Sequence, residues 1–286
     1  MKTLDVASQL KLKNILYPTD LSFAAERALP YASEIARRYG STVYAVHVIQ
    51  PDVYPFVPST ILPKTVEAEE VFRQESKEDL ETQLHAVPHE VIFQSGKAWP
   101  TLSEFIEDKQ IDLVVFSTHG RTGIGNVVVG SIAEEIFRKA PCPVLAVGPA
   151  VTMKPRENAE LNRILYATDF STESLAAAPY AISLAQEHRA QLILLHSIEN
   201  GGIVPALLDT LRQLVPFEAD LRCEPDCVVE HGAPADKILE VAEGHGADLI
   251  VLGVHGMEGP IQKHLTSSGV FRIVTEAKCP VMLVRG

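Results

Sequence analysis

Short apolar runs alternate with amphipathic stretches along the first half of the chain. The apolar runs are continuous rather than alternating with polar residues, which is typical of strands buried on both faces of a parallel sheet. The stretches between them repeat apolar residues at helical spacing. The pattern predicts strands at Ile15–Tyr17, Thr42–Val48, Glu90–Gln94, Leu113–Ser117 and Val144–Val147, and helices at Phe23–Tyr39, Val66–His85, Thr101–Asp108 and Ile132–Lys139.

The second half of the chain repeats the first. The segment "NILYPTDLSFAAERALPYASEIARRYGSTVYAVHV" recurs as "RILYATDFSTESLAAAPYAISLAQEHRAQLILLHS", so that Asp20 corresponds to Asp169 at an offset of 149 residues. A repeat of this length indicates two copies of one domain. We therefore predict a first domain at 1–148 and a second at 162–286, joined by a polar linker at 149–161.

Alternating strands and helices predict an α/β fold made of two tandem doubly wound, Rossmann-like domains. Each is expected to hold a five-stranded parallel sheet flanked by helices, because five buried apolar runs alternate with helical stretches. Right-handed crossovers between the strands then give the doubly wound arrangement. Ligands bind such sheets at the carboxyl ends of the strands. Asp20, Val48 and the segment from Ser117 to Gly120 follow three different predicted strands. The fold therefore predicts that they meet at one crevice.

Composition and charge restrict the possible partners. The 286 residues are 46% hydrophobic and 22% charged, as expected of a soluble globular protein, and the net charge is −12. That charge opposes bulk attraction to nucleic acid or an anionic membrane, although a local field can still hold a small anion. The start of the chain shows no signal-peptide pattern, and no apolar run is long enough to span a bilayer. We expect a cytoplasmic protein.

The loop "STHGRTGIGNVVVGS" joins a predicted strand to a predicted helix. A helix start presents unbonded N–H groups that favour an anion, and Gly130 would let a phosphate approach the backbone beside the Ser131 hydroxyl. A second interpretation is a capping box formed by Ser131 and Glu134, which would satisfy the same N–H groups internally. Glu134 and Glu135 would also repel an anion. The residues alone leave both interpretations open.

Asp20 ends the first predicted strand in "YPTD". A carboxylate only accepts hydrogen bonds, which suits a ribose hydroxyl or a base amine. The alternative is that Asp20 or Ser22 simply caps the following helix. Both interpretations remain open here.

His47 and its equivalent His196 lie at predicted strand ends, where a structural, hydrogen-bonded histidine is favoured over a base or metal ligand. The sequence has no metal-ligand spacing, no lysine-bearing phosphate loop and no nucleophile elbow. It therefore predicts a pocket without assigning a catalytic residue or a metal.

The segments "ILYPTDLS", "AVHV", "DLVVFSTHG" and "CPVLAV", with their partners in the second copy, resemble the universal stress protein family in its tandem form. The resemblance covers nearly the whole chain. It implies a five-stranded parallel sheet in each copy and pairing of the copies through their last strands. An intrachain pseudo-dimer is therefore expected, and association of two chains is left open.

Nucleotide-binding members of that family carry the pattern G-x-x-G, nine residues, then G-[ST]. The first copy matches it with Ser117-x-x-Gly120, nine residues, and Gly130-Ser131. Only the opening glycine is altered, to a small serine. The resemblance thus implies a phosphate site in the first copy.

The second copy has Gly253-x-x-Gly256, nine residues, and then Thr266-Ser267. It keeps the opening glycines but replaces the phosphate-side glycine with threonine, whose side chain obstructs close approach to the backbone. The second site is therefore expected to be degenerate, although the sequence does not decide whether it binds a ligand near Asp169.

By resemblance, the chain is a stress-response protein that binds ATP, with or without magnesium, in the first copy and acts as a nucleotide-dependent regulator or sensor. Alternatives are a nucleotide-free interaction or scaffold protein of the same fold, and a slow ATP hydrolase, for which the sequence identifies no general base. The residues implied to bind the nucleotide are Pro18, Thr19, Asp20, Val48, Ser117, Gly120, Gly130 and Ser131.

Overall fold

The computed structural model describes residues 10–50, 66–118, 130–151, 159–198, 203–254 and 269–286. The described residues from Leu12 to Ala140 form one compact unit, and those from Pro141 to Gly286 form another. Each unit has its own sheet strands and flanking helices.

The first unit holds parallel strands in the order β3-β2-β1-β4. The central strand β1 is fully buried at Ile15, Leu16 and Tyr17, as its continuous apolar run predicts. The strands are β1 (Asn14–Pro18), β2 (Thr42–Ile49), β3 (His89–Ser95) and β4 (Leu113–Ser117), and the helices are α1 (Phe23–Glu26), α2 (Leu29–Tyr39), α3 (Val66–Leu84), α4 (Ala98–Asp108) and α5 (Ser131–Lys139).

The second unit holds strands in the order β5-β10-β9-β6-β7-β8, all parallel except β5. The predicted α/β class is confirmed, with a mixed, mostly parallel sheet flanked by helices. The strands are β5 (Val144–Val147), β6 (Arg163–Ala167), β7 (Gln191–Ile198), β8 (Asp226–His231), β9 (Leu249–Val254) and β10 (Val281–Arg285), and the helices are α6 (Thr172–Ala176), α7 (Ala178–His188), α8 (Val204–Arg212), α9 (Pro234–Gly244) and α10 (Gly269–Glu276).

Strand β5, the last strand of the first copy, pairs antiparallel with β10, the last strand of the second. Leu145 lies opposite Met282, and Val144 lies opposite Leu283. All four residues are buried. The pairing covers an apolar edge of β10 that would otherwise present unpaired backbone groups.

The single helix predicted from Phe23 to Tyr39 is wrong, because the structure has two helices there, α1 and α2. Pro30 lies in the first turn of α2 and has no N–H group to continue a preceding helix. The second copy repeats the break between α6 and α7, where Pro179 takes the same place. A proline in a first turn starts a helix, which the amphipathic pattern alone does not show.

Helix α4 begins at Ala98, before the predicted start at Thr101. Its first turn contains Pro100, which is tolerated because first-turn N–H groups have no partner within the helix. No helix in the described part of the chain combines the length and apolar character needed to cross a membrane.

Two equivalent aspartates fasten the starts of the central strands. The Oδ2 atom of Asp112 accepts hydrogen bonds from the backbone N–H groups of Lys13 at 2.7 Å and Asn14 at 2.9 Å. Asp248 does the same for residues 162–163. These repeated carboxylates therefore have a structural role at the amino ends of the sheets.

Candidate functional site

The carboxyl ends of β2, β1 and β4 are adjacent in the first unit. This edge of the sheet brings together predicted site residues from three strands, as the fold requires of a ligand crevice. They are Pro18 at the end of β1, Thr19 and Asp20 directly after it, Val48 near the end of β2, and Ser117 at the end of β4.

The turn after β1 is held by Thr19, which is buried. Its N–H donates to the Val46 carbonyl at 3.0 Å, and its own carbonyl accepts from Nδ1 of His47 at 2.8 Å. The Thr19 hydroxyl accepts from the Leu21 N–H at 3.0 Å, and Leu21 has the left-handed φ of 61°. Phe170 repeats this conformation in the second copy, with a φ of 63°. Sequence reasoning missed both, because such angles are uncommon outside glycine, asparagine and aspartate.

Asp20 shapes the start of α1 without capping it. Its Oδ1 atom accepts from the Ser22 N–H at 3.0 Å. The Ser22 hydroxyl in turn accepts from the Ala25 N–H at 3.2 Å, which makes Ser22 the N-cap. Of the two capping residues considered from the sequence, the serine is the correct one.

Asp169 occupies the same place in the second copy. Its Oδ1 atom accepts from the Ser171 N–H at 2.9 Å and from the Ser171 hydroxyl at 2.6 Å. Burial acts to raise the pKa of Asp169, but hydrogen bonds from Ser171 and Ser174 outweigh it and hold that pKa below its usual value. A side-chain hydroxyl as well as a backbone N–H therefore keeps this carboxylate in its own turn.

The equivalent histidines of the two copies, His47 and His196, have a structural role. Nδ1 of His196 lies 2.8 Å from the Thr168 carbonyl, the same bond that His47 makes to Thr19. Because a carbonyl only accepts, Nδ1 carries the proton in each ring. These bonds agree with the structural role predicted for both histidines. Within the described ranges, no group of three or more histidine, cysteine, aspartate or glutamate residues is placed to hold a metal.

The glycine loop returns to the sheet at the start of α5. The Gly130 N–H donates to the Thr118 carbonyl at 3.0 Å, so this end of the loop lies beside the end of β4. Gly130 is the N-cap of α5 and has no side-chain capping bond. The capping-box interpretation is therefore wrong: Ser131 is the first residue inside the helix, so its hydroxyl is not at the N-cap position.

Two acidic residues near the start of α5 each form an ion pair. Glu134 lies 3.5 Å from Arg138, and Glu135 lies 2.8 Å from Lys139. These ion pairs reduce the repulsion that the sequence predicts between α5 and an anion. The start of the helix is thus compatible with a bound anion.

Four loop residues named from the sequence belong to the part of the chain that the structure does not describe. Gly120 of the first copy lies outside the described residues, as do Gly256, Thr266 and Ser267 of the second. For the first copy, the structure therefore places both ends of the glycine loop.

Gly253, the opening glycine of the second copy, has a packing role. A Cβ atom added there would overlap the backbone of Glu173 and Ser174 in α6. At Gly286, which follows β10, an added Cβ would lie 2.5 Å from the Cα of Glu173. Helix α6 thus lies directly over the ends of β9 and β10. In the first copy the equivalent position is Ser117, which carries a Cβ atom.

A cavity of about 1280 Å³ lies in the second unit. It is lined by residues at the amino ends of the strands, among them Arg163, Gln191 and Cys279. Ligands of doubly wound sheets bind at the opposite, carboxyl ends, so size alone does not make this cavity the candidate site.

The sequence profile described as the Universal stress protein family matches residues 11–148 and 160–285. A universal stress protein of Methanocaldococcus jannaschii is 33% identical over 140 residues, which cover 47% of this chain and 81% of that protein. One of Thermus aquaticus is 34% identical over 137 residues, which cover 43% of this chain and 97% of that protein.

A solved universal stress protein from Archaeoglobus fulgidus aligns with 96% of this chain and 99% of its own, at a TM-score of 0.74. Its sequence identity is 21%, so this likeness shows a shared fold. Because the family profile matches each half of the repeat in turn, the chain belongs to the universal stress protein family and carries two of its domains in tandem.

Proposed function

We propose that the first copy binds an adenine nucleotide, ATP with or without magnesium, and acts as a nucleotide-dependent regulator or sensor of the cytoplasmic stress response. The observation that carries the proposal is the start of α5, which lies beside the end of β4. Its N-cap residue, Gly130, has no side-chain capping bond. Helix N–H groups without internal acceptors favour a phosphate at such a position.

The adenosine part of the nucleotide is proposed to contact the turn after β1 and the end of β2. Asp20 is held there by the Ser22 N–H, and Val48 lies beyond the end of β1. A carboxylate accepts hydrogen bonds from a ribose hydroxyl or an adenine amine, and an apolar side chain packs against the base. Ser117 and Gly120 complete the site by resemblance to the nucleotide-binding pattern of the family.

The second site is proposed to be degenerate. Thr266 stands where the family pattern has its phosphate-side glycine. This difference favours one nucleotide per chain.

We further propose the domain division 1–148, 149–161 and 162–286, with the two copies arranged as a pseudo-dimer through their last strands. The antiparallel pairing of β5 with β10 supports this arrangement. A homodimer of whole chains stays compatible with it.

Nucleotide-free protein is expected to bind one ATP per chain in isothermal titration calorimetry. Mass spectrometry of freshly purified, denatured protein should release an adenine nucleotide. A protein that carries and binds none would favour the interaction or scaffold function. A stoichiometry near two would instead show that the second crevice binds despite its threonine.

An Asp20→Asn variant is expected to bind ATP more weakly by roughly 1–3 kcal/mol, because it loses charge-assisted hydrogen bonds to the nucleotide. The amide oxygen still accepts from the Ser22 N–H, so the turn is retained. Calorimetry against the matched Asp169→Asn variant measures the effect. Equal ATP affinities for both variants and the wild type would remove Asp20 from the site.

A further inference from the structure

A cavity of about 630 Å³ extends from the start of α5 on the first unit. This volume is within the range of small-molecule sites. Gln50 lines it from the end of β2, Lys97 and Trp99 from the start of α4, and Ser131 and Lys139 from α5. Ser131 lines this cavity and also belongs to the proposed phosphate site, so the cavity continues that site.

The ionic groups around this cavity leave one cation unneutralised. Lys139 and Glu135, which both line the cavity, form an ion pair at 2.8 Å. The Lys139 ammonium also lies 5.6 Å from the centre of the Trp99 ring, which fixes its position further. Lys97 is exposed and has no acidic partner among the described residues. The net charge of the lining is therefore positive and comes from Lys97.

Helix stability does not explain Lys97. It is the N-cap residue of α4, where the helix dipole disfavours a cation, and it makes no side-chain capping bond. The equivalent residue of the second copy, at an offset of 136, is Ala233. That helix has Asp236 in its first turn, paired with Arg272. The second copy has Lys237 near the start of this helix, but Lys237 is ion-paired with Glu240. Among the described residues, an unpaired lysine at the helix start is thus specific to the copy that keeps Gly130-Ser131.

We infer that this cavity receives the terminal phosphates of the bound nucleotide and that Lys97 makes the site select a triphosphate over a monophosphate. The inference rests on the proposed function, because it continues a phosphate chain that begins at Gly130 and Ser131. Each further phosphate adds negative charge, and Lys97 supplies the only unneutralised positive charge among the described residues lining the cavity. An ammonium group binds phosphate as a point charge with several donors.

The test compares ATP, ADP and AMP binding by calorimetry to the wild type, Lys97→Gln and Lys13→Gln. Lys13 is also exposed but lies at the amino end of β1, so its variant changes the net charge equally away from the cavity. We expect the wild type to bind ATP about tenfold more tightly than AMP. Lys97→Gln should lose about tenfold for ATP and under about twofold for AMP. Lys13→Gln should match the wild type.

Each result separates the inference from the proposed function. Equal losses for ATP and AMP in Lys97→Gln, or a wild type that does not distinguish them, would overturn the role of Lys97 while nucleotide binding stands. A wild type that binds none of the three nucleotides would overturn both.

Discussion

A Gly130→Val variant is expected to lose ATP binding by at least about a hundredfold while remaining as stable as the wild type. The valine side chain would occupy the space through which a phosphate reaches the first N–H groups of α5. Loss of two charge-assisted hydrogen bonds, at about 1.5–3 kcal/mol each, accounts for a change of that size.

The described surroundings of Gly130 leave room for a Cβ atom. Among the described residues, the atom nearest to such a Cβ is the Thr118 carbonyl oxygen, at an ordinary contact distance of 3.7 Å. The backbone angles, with φ at −61° and ψ at 148°, lie in the extended region that β-branched residues favour. Calorimetry and thermal unfolding would be run together, with Gly130→Ala as an intermediate case. Unchanged ATP affinity in a stably folded valine variant would show that phosphate binds elsewhere.

A Gly253→Ala variant is expected to lower the free energy of unfolding by about 3 kcal/mol, as overpacking of a close contact does. The added Cβ would overlap backbone atoms of Glu173 and Ser174. Backbone atoms cannot rotate away as the end of a flexible side chain can, so α6 must shift from β9. The same displacement would uncover the strand ends of the second copy.

Gly244→Ala is the matched control, because no atom of the described residues lies within 4 Å of a Cβ added there. Gly244 ends helix α9, where alanine is favoured over glycine by up to about 1 kcal/mol. Urea unfolding of the two variants would measure the difference. If Gly253→Ala were as stable as Gly244→Ala, the close packing of α6 on β9 would be wrong.

The strands could be predicted because their apolar runs are continuous, and continuous runs are buried on both faces. The helices were less predictable, because hydrophobic spacing continues through Pro30 while the hydrogen bonds of the helix do not. The left-handed Leu21 could not be foreseen, since the surrounding bonds of Thr19 impose that conformation.

The location of the candidate site could be predicted from the sequence, but the roles of several individual residues could not. A sequence pattern does not distinguish a glycine kept for a ligand from one kept for packing, and Gly253 proves to contact α6. Ser131 has the spacing of a capping box but lies one residue after the N-cap position, which Gly130 occupies. Lys97 was missed, although the contrast with Ala233 in the repeat was available to point to it.

The register between β5 and β10 has a consequence for how the sequences of the two copies evolve. Leu145 and Met282 are opposite one another and occupy the same position of the repeat, so two identical strands crossing at a twofold axis would pair in this way. Within one polypeptide this pairing does not weaken on dilution. A substitution in one strand is no longer duplicated in its partner. Each copy can then accumulate its own substitutions, so a loop that ends in Gly130 and a loop that has Thr266 at the corresponding position can persist in the same molecule.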